Sequence, residues 1–147
     1  MIWNLNMAVL SSKIQEQIDR LEELAYEKFE NGEIEESLKL SEQAWKLYPE
    51  PKNNWNEAYN SAKYIADYYM KLNNYDKVKE WVNQMIYINN NLHQSDDELC
   101  FYIGKYKFEI KDFEGALEEF KFVVKESQYR HFEDEDSKYL DFYLTHK

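Results

Sequence analysis

The 147-residue chain is predicted to be all-α: an α-solenoid of three helical hairpins plus a C-terminal capping helix. Three observations predict this. Apolar residues recur every three and four positions nearly from end to end, the period of one helix face. Only 3 glycines and 2 prolines are present, too little turn material for a many-stranded sheet. Six helical segments also fall into three pairs of like pattern. At 18.0 kDa this is one domain's worth of chain. Roughly two-thirds of the unfolded surface can leave water at that size.

Residues 1–10 are expected to be irregular, and the first repeat spans 11–50. Ile14, Ile18, Leu21 and Ala25 mark its first helix. Ser12, three residues before Gln15, fits a capping box. Asn31-Gly32 ends that helix, with glycine free to take the left-handed conformation. Ile34, Leu38, Ala44, Trp45 and Leu47 mark the second helix, closed by Pro49 and Pro51. The second repeat, 54–91, has a helix from near Trp55 through Ala58, Ala62, Ile65, Ala66 and Tyr69. Asn73-Asn74 breaks it, and Tyr75, Val78, Val82, Met85 and Ile86 follow in the next helix. Asn89-Asn90-Asn91 reads as a turn. The third repeat, 95–128, opens on a capping box at Ser95-Asp96-Asp97-Glu98. Leu99, Cys100, Ile103, Gly104 and Phe108 form its first helix; after a break at Lys111-Asp112, Phe113, Ala116, Leu117, Phe120 and Val123 form its second. The capping helix is placed at 137–145, behind the acidic run Glu133 to Asp136, which suits a helix N-terminus. No Pro-, Gly- or Ser-rich linker divides the chain, so a single domain is expected.

Lys plus Arg is 18 against 29 Asp plus Glu, a formal charge of −11, and 17% of residues are aromatic. An acidic chain lacks the basic footprint of a nucleic-acid binder, so no nucleic-acid partner is expected. The aromatics give it a core, unlike an acidic disordered segment. Cys100 is the single cysteine, so no internal disulfide can form. The apolar N-terminal stretch is short and carries no preceding basic residue, unlike a secretory signal. No run approaches the ~20 apolar residues of a membrane span. A cytoplasmic protein with no membrane partner is expected.

In each pair a large apolar residue precedes a small one mid-way along the first helix: Leu24-Ala25, Ile65-Ala66 and Ile103-Gly104. A bulky residue stands two positions after each turn: Ile34, Tyr75 and Phe113. The small residues let the hairpin helices approach, and the bulky ones plug the hairpin end. With Ser37, Val78 and Ala116 in the second helices and Pro49 at a repeat end, the pattern resembles the tetratricopeptide repeat (TPR) family over residues 18–130. The turn residues Gly32, Asn73 and Lys111 lie 41 and 38 apart, against the ~34 of a standard repeat. Asn90 and Gln128 stand where the closing proline would recur. The resemblance implies three TPR-like hairpins, with Tyr139, Leu140, Phe142, Tyr143 and Leu144 covering the last pair as solenoid caps do.

No catalytic constellation is found. His93, His131 and His146 lie in a turn, a loop and the C-terminus, without partners at metal-ligand spacing. Gly104 and Gly115 are isolated, so there is no phosphate loop. No serine sits in a nucleophile elbow, and Glu133 to Asp136 lacks the alternating ligands of a calcium loop. Cys100 is expected to be a small buried apolar residue. Neither cofactor nor metal is expected, and the protein is read as a non-enzyme.

Function is instead sought on the face that the first helices of stacked hairpins turn to the concave side. That face offers Asp19, Glu22, Glu23, Tyr26 and Glu30, then Asn60, Lys63, Tyr64, Asp67, Met70 and Lys71, then Glu98, Phe101, Tyr102, Lys105 and Glu109. Carboxylates among aromatic faces suit a Lys- or Arg-rich partner through ion pairing and cation–π contact. The partner-binding residues are taken as Glu22, Glu23, Tyr26, Lys63, Tyr64, Asp67, Glu98, Phe101 and Tyr102. Some TPR proteins clamp a terminal carboxylate with basic groups on this face; Glu22, Tyr26, Tyr64, Glu98 and Tyr102 stand there, so that mode is disfavoured.

Pro49-Glu50-Pro51-Lys52, Trp55-Asn56-Glu57-Ala58 and the stretch from Lys138 to Leu144 also resemble small bacterial TPR-type immunity proteins of polymorphic toxin systems. That resemblance implies binding and neutralisation of a cognate toxin domain. The acidity suits a basic toxin, such as a nuclease with a phosphate-binding cleft. The alternative is a general TPR scaffold recognising a peptide segment of a cytoplasmic partner. Homo-oligomerisation through exposed aromatics is a further reading, which sedimentation decides.

Overall fold

The computed structural model describes residues 10–92 and 96–147. Of the described residues, 83% are helical and none lies in a strand. Seven α-helices are described: α1 (Ser12–Glu30), α2 (Ile34–Leu47), α3 (Asn56–Lys71), α4 (Tyr75–Leu92), α5 (Asp96–Glu109), α6 (Phe113–Ser127) and α7 (Ser137–His146). Short 3-10 turns occupy Lys52–Asn54 and Arg130–Phe132. Helices α1 and α2, α3 and α4, and α5 and α6 pack as neighbouring pairs. The chain divides into two compact units, Met1–Gln94 and Ser95–Lys147. Among the described residues, no helix is long and apolar enough to cross a membrane.

The three hairpins share one turn. Gly32, Asn73 and Lys111 all have positive φ, at 81°, 57° and 69°. The next residue's amide reaches back across the helix end in each case. Glu33 N donates to Lys28 O, Asn74 N to Tyr69 O and Asp112 N to Lys107 O, at 2.8, 3.0 and 2.8 Å. This is the six-to-one closure that satisfies orphan helix carbonyls when a left-handed residue ends a helix. The second helix then starts alike each time: the amides of Ser37, Val78 and Ala116 donate to the carbonyls of Glu33, Asn74 and Asp112. The three positions that the sequence aligns are therefore equivalent in backbone conformation. The small residues Ala25, Ala66 and Gly104 are all buried; Ala25 O accepts from Ser37 Oγ of α2, and Gly104 lies against Phe120 of α6.

Two expected boundaries shift. The cap of α1 is Ser11, one residue earlier than expected, whose Oγ accepts from Ile14 N at 3.3 Å. Asn89-Asn90-Asn91 is not a turn, because α4 runs through it to Leu92. Asn89 is buried, and Asn91 Nδ2 donates to Asn53 O in the neighbouring 3-10 turn at 2.8 Å. Tertiary partners for the amides override their turn preference. Ser95, the expected cap of α5, and His93 lie outside the described residues.

In the first unit, Trp55 Nε1 donates to Pro49 O at 2.7 Å, tying the chain between α2 and α3. Trp45 packs edge-on against Trp81 at 5.0 Å. The second unit has an aromatic core. Phe101 is 2% exposed and Phe120 0%, and their rings lie 5.9 Å apart. Phe132 and Tyr139 complete the cluster around Phe101. From α7, the Phe142 ring reaches Phe108 and Phe113 at 5.2 and 5.7 Å. The Asp136 side chain caps α7 through Lys138 N. Glu135, in the same acidic run, pairs with Lys105 at 3.2 Å.

Gly104 packs so closely that a Cβ built on it would stand 2.5 Å from Phe120 Cε1. That ring is enclosed and has nowhere to retreat. Gly104→Ala is expected to lower stability by up to about 2 kcal/mol. Overpacking of ~1–3 kcal/mol outweighs the ~1 kcal/mol that alanine gains in a helix. Urea unfolding measures this, and a neutral or stabilising result would show that the contact relaxes freely.

Candidate protein-binding surface

The surface of α1 is built by its periodicity. Ile18 and Ala25 are buried. On the opposite side Glu16, Asp19, Glu23, Tyr26 and Glu30 recur at three and four residues, and all are exposed, with Glu27 beside them. The result is one continuous line of carboxylates with Tyr26, 59% exposed, among them. Helix α3 repeats the spacing with Glu57, Asn60, Tyr64, Asp67 and Lys71; Asp67 is half-buried and the rest are exposed. Half-buried Lys63 sets its ammonium 5.8 Å from the Tyr64 ring.

Contacts among the described residues join α1 to α3. The Phe29 and Tyr68 rings lie 5.2 Å apart. Ser61 Oγ donates to Glu22 Oε2 at 3.2 Å. With the Ser61 proton so committed, Tyr48 donates its phenol proton to Ser61 at 3.3 Å. Asp19, Glu22 and Glu57 all bear electrostatically on the Tyr48 phenol, which burial holds un-ionised. The carboxylates of α1 and α3 therefore gather along one seam.

Glu22 forms the floor of that seam rather than its surface. It is half-buried, and burial pushes its carboxyl up to about 7 against the opposing Ser41 and Ser61 hydroxyls. Glu22 Oε1 and Ser41 Oγ are both buried, and neither completes a hydrogen bond among the described residues. Tyr68, over the same seam, is pushed up to about 12, chiefly by burial. The exposed part of the predicted set in this unit is Glu23, Tyr26 and Tyr64, with Lys63 and Asp67 half-buried beside them.

Glu98, Phe101 and Tyr102 belong to the second unit. Glu98 is half-buried in the first turn of α5. Phe101 and Tyr102 are core residues, 2% and 8% exposed, and offer no surface to a partner. Lys105, expected on the same face, is also buried; its ammonium lies 4.1 Å from the Tyr102 ring and pairs with Glu135. The physical reason is that α5 is enclosed twice. Helix α6 covers one side, while Phe132 and Tyr139 cover another. A helix read as having one buried stripe therefore has two.

Other reactive groups are occupied. Burial pushes the Cys100 thiol up to about 12, with Glu119 adding to it, so the thiol stays protonated at neutral pH. His131 Nε2 lies 2.9 Å from Asp97 Oδ2, and the ring stacks on Phe101. Among the described residues, no three His, Cys, Asp or Glu side chains are grouped to hold a metal ion. No protein-family model matches the chain, and no curated protein matches its sequence.

Proposed function

We propose that this protein is a TPR-like protein-binding module that neutralises a basic toxin domain as its immunity partner, docking through the outer faces of α1 and α3. The observation that carries this is the exposed carboxylate line Glu16, Asp19, Glu23 and Glu30 with Tyr26 set within it. One-sign charge raises the rate of encounter with an opposite charge, and exposed tyrosines add cation–π contact with Lys or Arg. The three equivalent left-handed turns support the hairpin-repeat reading. The immunity role rests on the sequence resemblance and on the charge.

The test is a triple reversal, Asp19→Lys, Glu23→Lys and Glu30→Lys, at exposed positions that leave the core untouched. The probe is a toxin domain encoded beside the gene for this protein. Wild type is expected to protect cells expressing that domain. The variant should associate at least tenfold more slowly at low salt, with the gap closing near ~0.5 M salt as charges are screened. Unchanged association and salt dependence would exclude this surface. Failure of wild type to bind any adjacent toxin domain would exclude the immunity role.

A further inference from the structure

The edge of the α1–α2 hairpin carries a second surface of opposite character. A groove of about 490 Å³ runs between the helices, lined by Gln17, Arg20 and Leu21 of α1 and Gln43, Lys46 and Leu47 of α2. The two triplets match: amide, cation and leucine at the same spacing on each helix. A three-residue connection makes the helices antiparallel neighbours, so the triplets face each other in opposite directions. The two leucines are half-buried, while both cations and both amides are exposed. Among the described residues no carboxylate lines the groove, on a chain with 29 acidic residues and 18 basic ones.

We infer that this groove docks an amphipathic helix of a protein partner, one whose apolar stripe is flanked on both sides by carboxylates. A helix laid between two antiparallel helices presents apolar anchors at i, i+3 and i+7 to the floor. Its flanking positions then meet one rim on each side. Leu21 and Leu47 supply the floor, and Arg20 and Lys46 place one positive charge on each rim. Partner carboxylates satisfy both rims at once, whereas partner lysines would meet like charge on both. This surface is distinct from the acidic face of α1, so the module would carry two docking sites of opposite preference.

The test uses the full chain and two capped helical peptides of roughly 18 residues, five turns of helix. Both carry a leucine stripe, flanked by glutamates in one and lysines in the other. Titration by calorimetry, with amide shifts at Leu21 and Leu47, is expected to place the glutamate-flanked peptide in the groove. This preference opposes the net charge of −11, which would send the lysine peptide elsewhere on the surface. The double variant Arg20→Glu, Lys46→Glu should weaken the glutamate-flanked peptide about tenfold or more. All its changes are at exposed side chains, and circular dichroism checks that the helices persist. Absence of binding to wild type, or equal binding to the variant, overturns the inference. A dimer seen by sedimentation and lost in the variant would overturn it in favour of a second copy of this chain as occupant.

Discussion

Glu22→Gln is expected to stabilise the protein by about 2 kcal/mol at pH 8, and by less than about 1 kcal/mol at pH 5. The folded protein holds the Glu22 carboxyl near 7, against an ordinary value of 4.5, because burial disfavours the carboxylate. Between those two values the folded state binds more protons than the unfolded chain. Stability conferred at this site therefore falls as pH rises from about 4.5 to about 7, and is flat above. The full difference corresponds to about 3 kcal/mol. Water reaching the half-buried side chain reduces it to about 2 kcal/mol. Glutamine keeps the shape, cannot ionise, and carries a donor for Ser41. Urea unfolding of both proteins across pH 5–8.5 measures the effect. A Glu22→Gln protein no more stable than wild type at pH 8 would mean that the carboxylate is well solvated, and Glu22 would return to the binding surface.

The same measurement separates two roles that share a helix face. Glu22 adjoins Glu23 in the chain, and by periodicity alone it belongs beside the binding line. Only the arrival of α3, with Ser61, turns it into a floor residue. Glu23 and Tyr26 face away from that contact and stay exposed. Substituting Glu22 should therefore alter stability with pH, while reversing Asp19, Glu23 and Glu30 should alter association with salt.

What was legible in the sequence was local. Gly32, Asn73 and Lys111 were identifiable as equivalent turns because each precedes a bulky residue by two positions, and the backbone gives all three the same left-handed closure. The small positions Ala25, Ala66 and Gly104 were legible for the same reason. What was not legible depended on partners distant in sequence. Asn89 reads as a turn residue until α4 buries it. Helix α5 reads as one-sided until Phe132 and Tyr139 close over Phe101. One signal was available: Phe101, Tyr102, Tyr106 and Phe108 on one side of α5, with Leu99, Cys100 and Ile103 on the other, make it apolar all round, and a helix apolar on every side is an enclosed one.

That enclosure makes Phe101→Ala the most damaging single substitution expected here, at about 3–5 kcal/mol. The ring contacts Tyr102, Phe120, His131, Phe132 and Tyr139, so its removal leaves a cavity that five neighbours border. Collapse into that space is hindered because Phe120 is itself held against Gly104. The loss also uncovers Lys105, whose ammonium lies 5.1 Å from the Phe101 ring and depends on enclosure for its contact with Glu135. A thermal midpoint lowered on the order of 10 °C is expected. Phe101→Leu, which keeps most of the volume, should lose substantially less. A surface anchor behaves in the opposite way: Phe101→Ala would change stability by no more than about 0.5 kcal/mol, leave the midpoint nearly where it was and weaken only partner binding. The midpoint therefore decides between the two roles before any partner is in hand. An unchanged midpoint would place Phe101 on the binding face and remove it from the core.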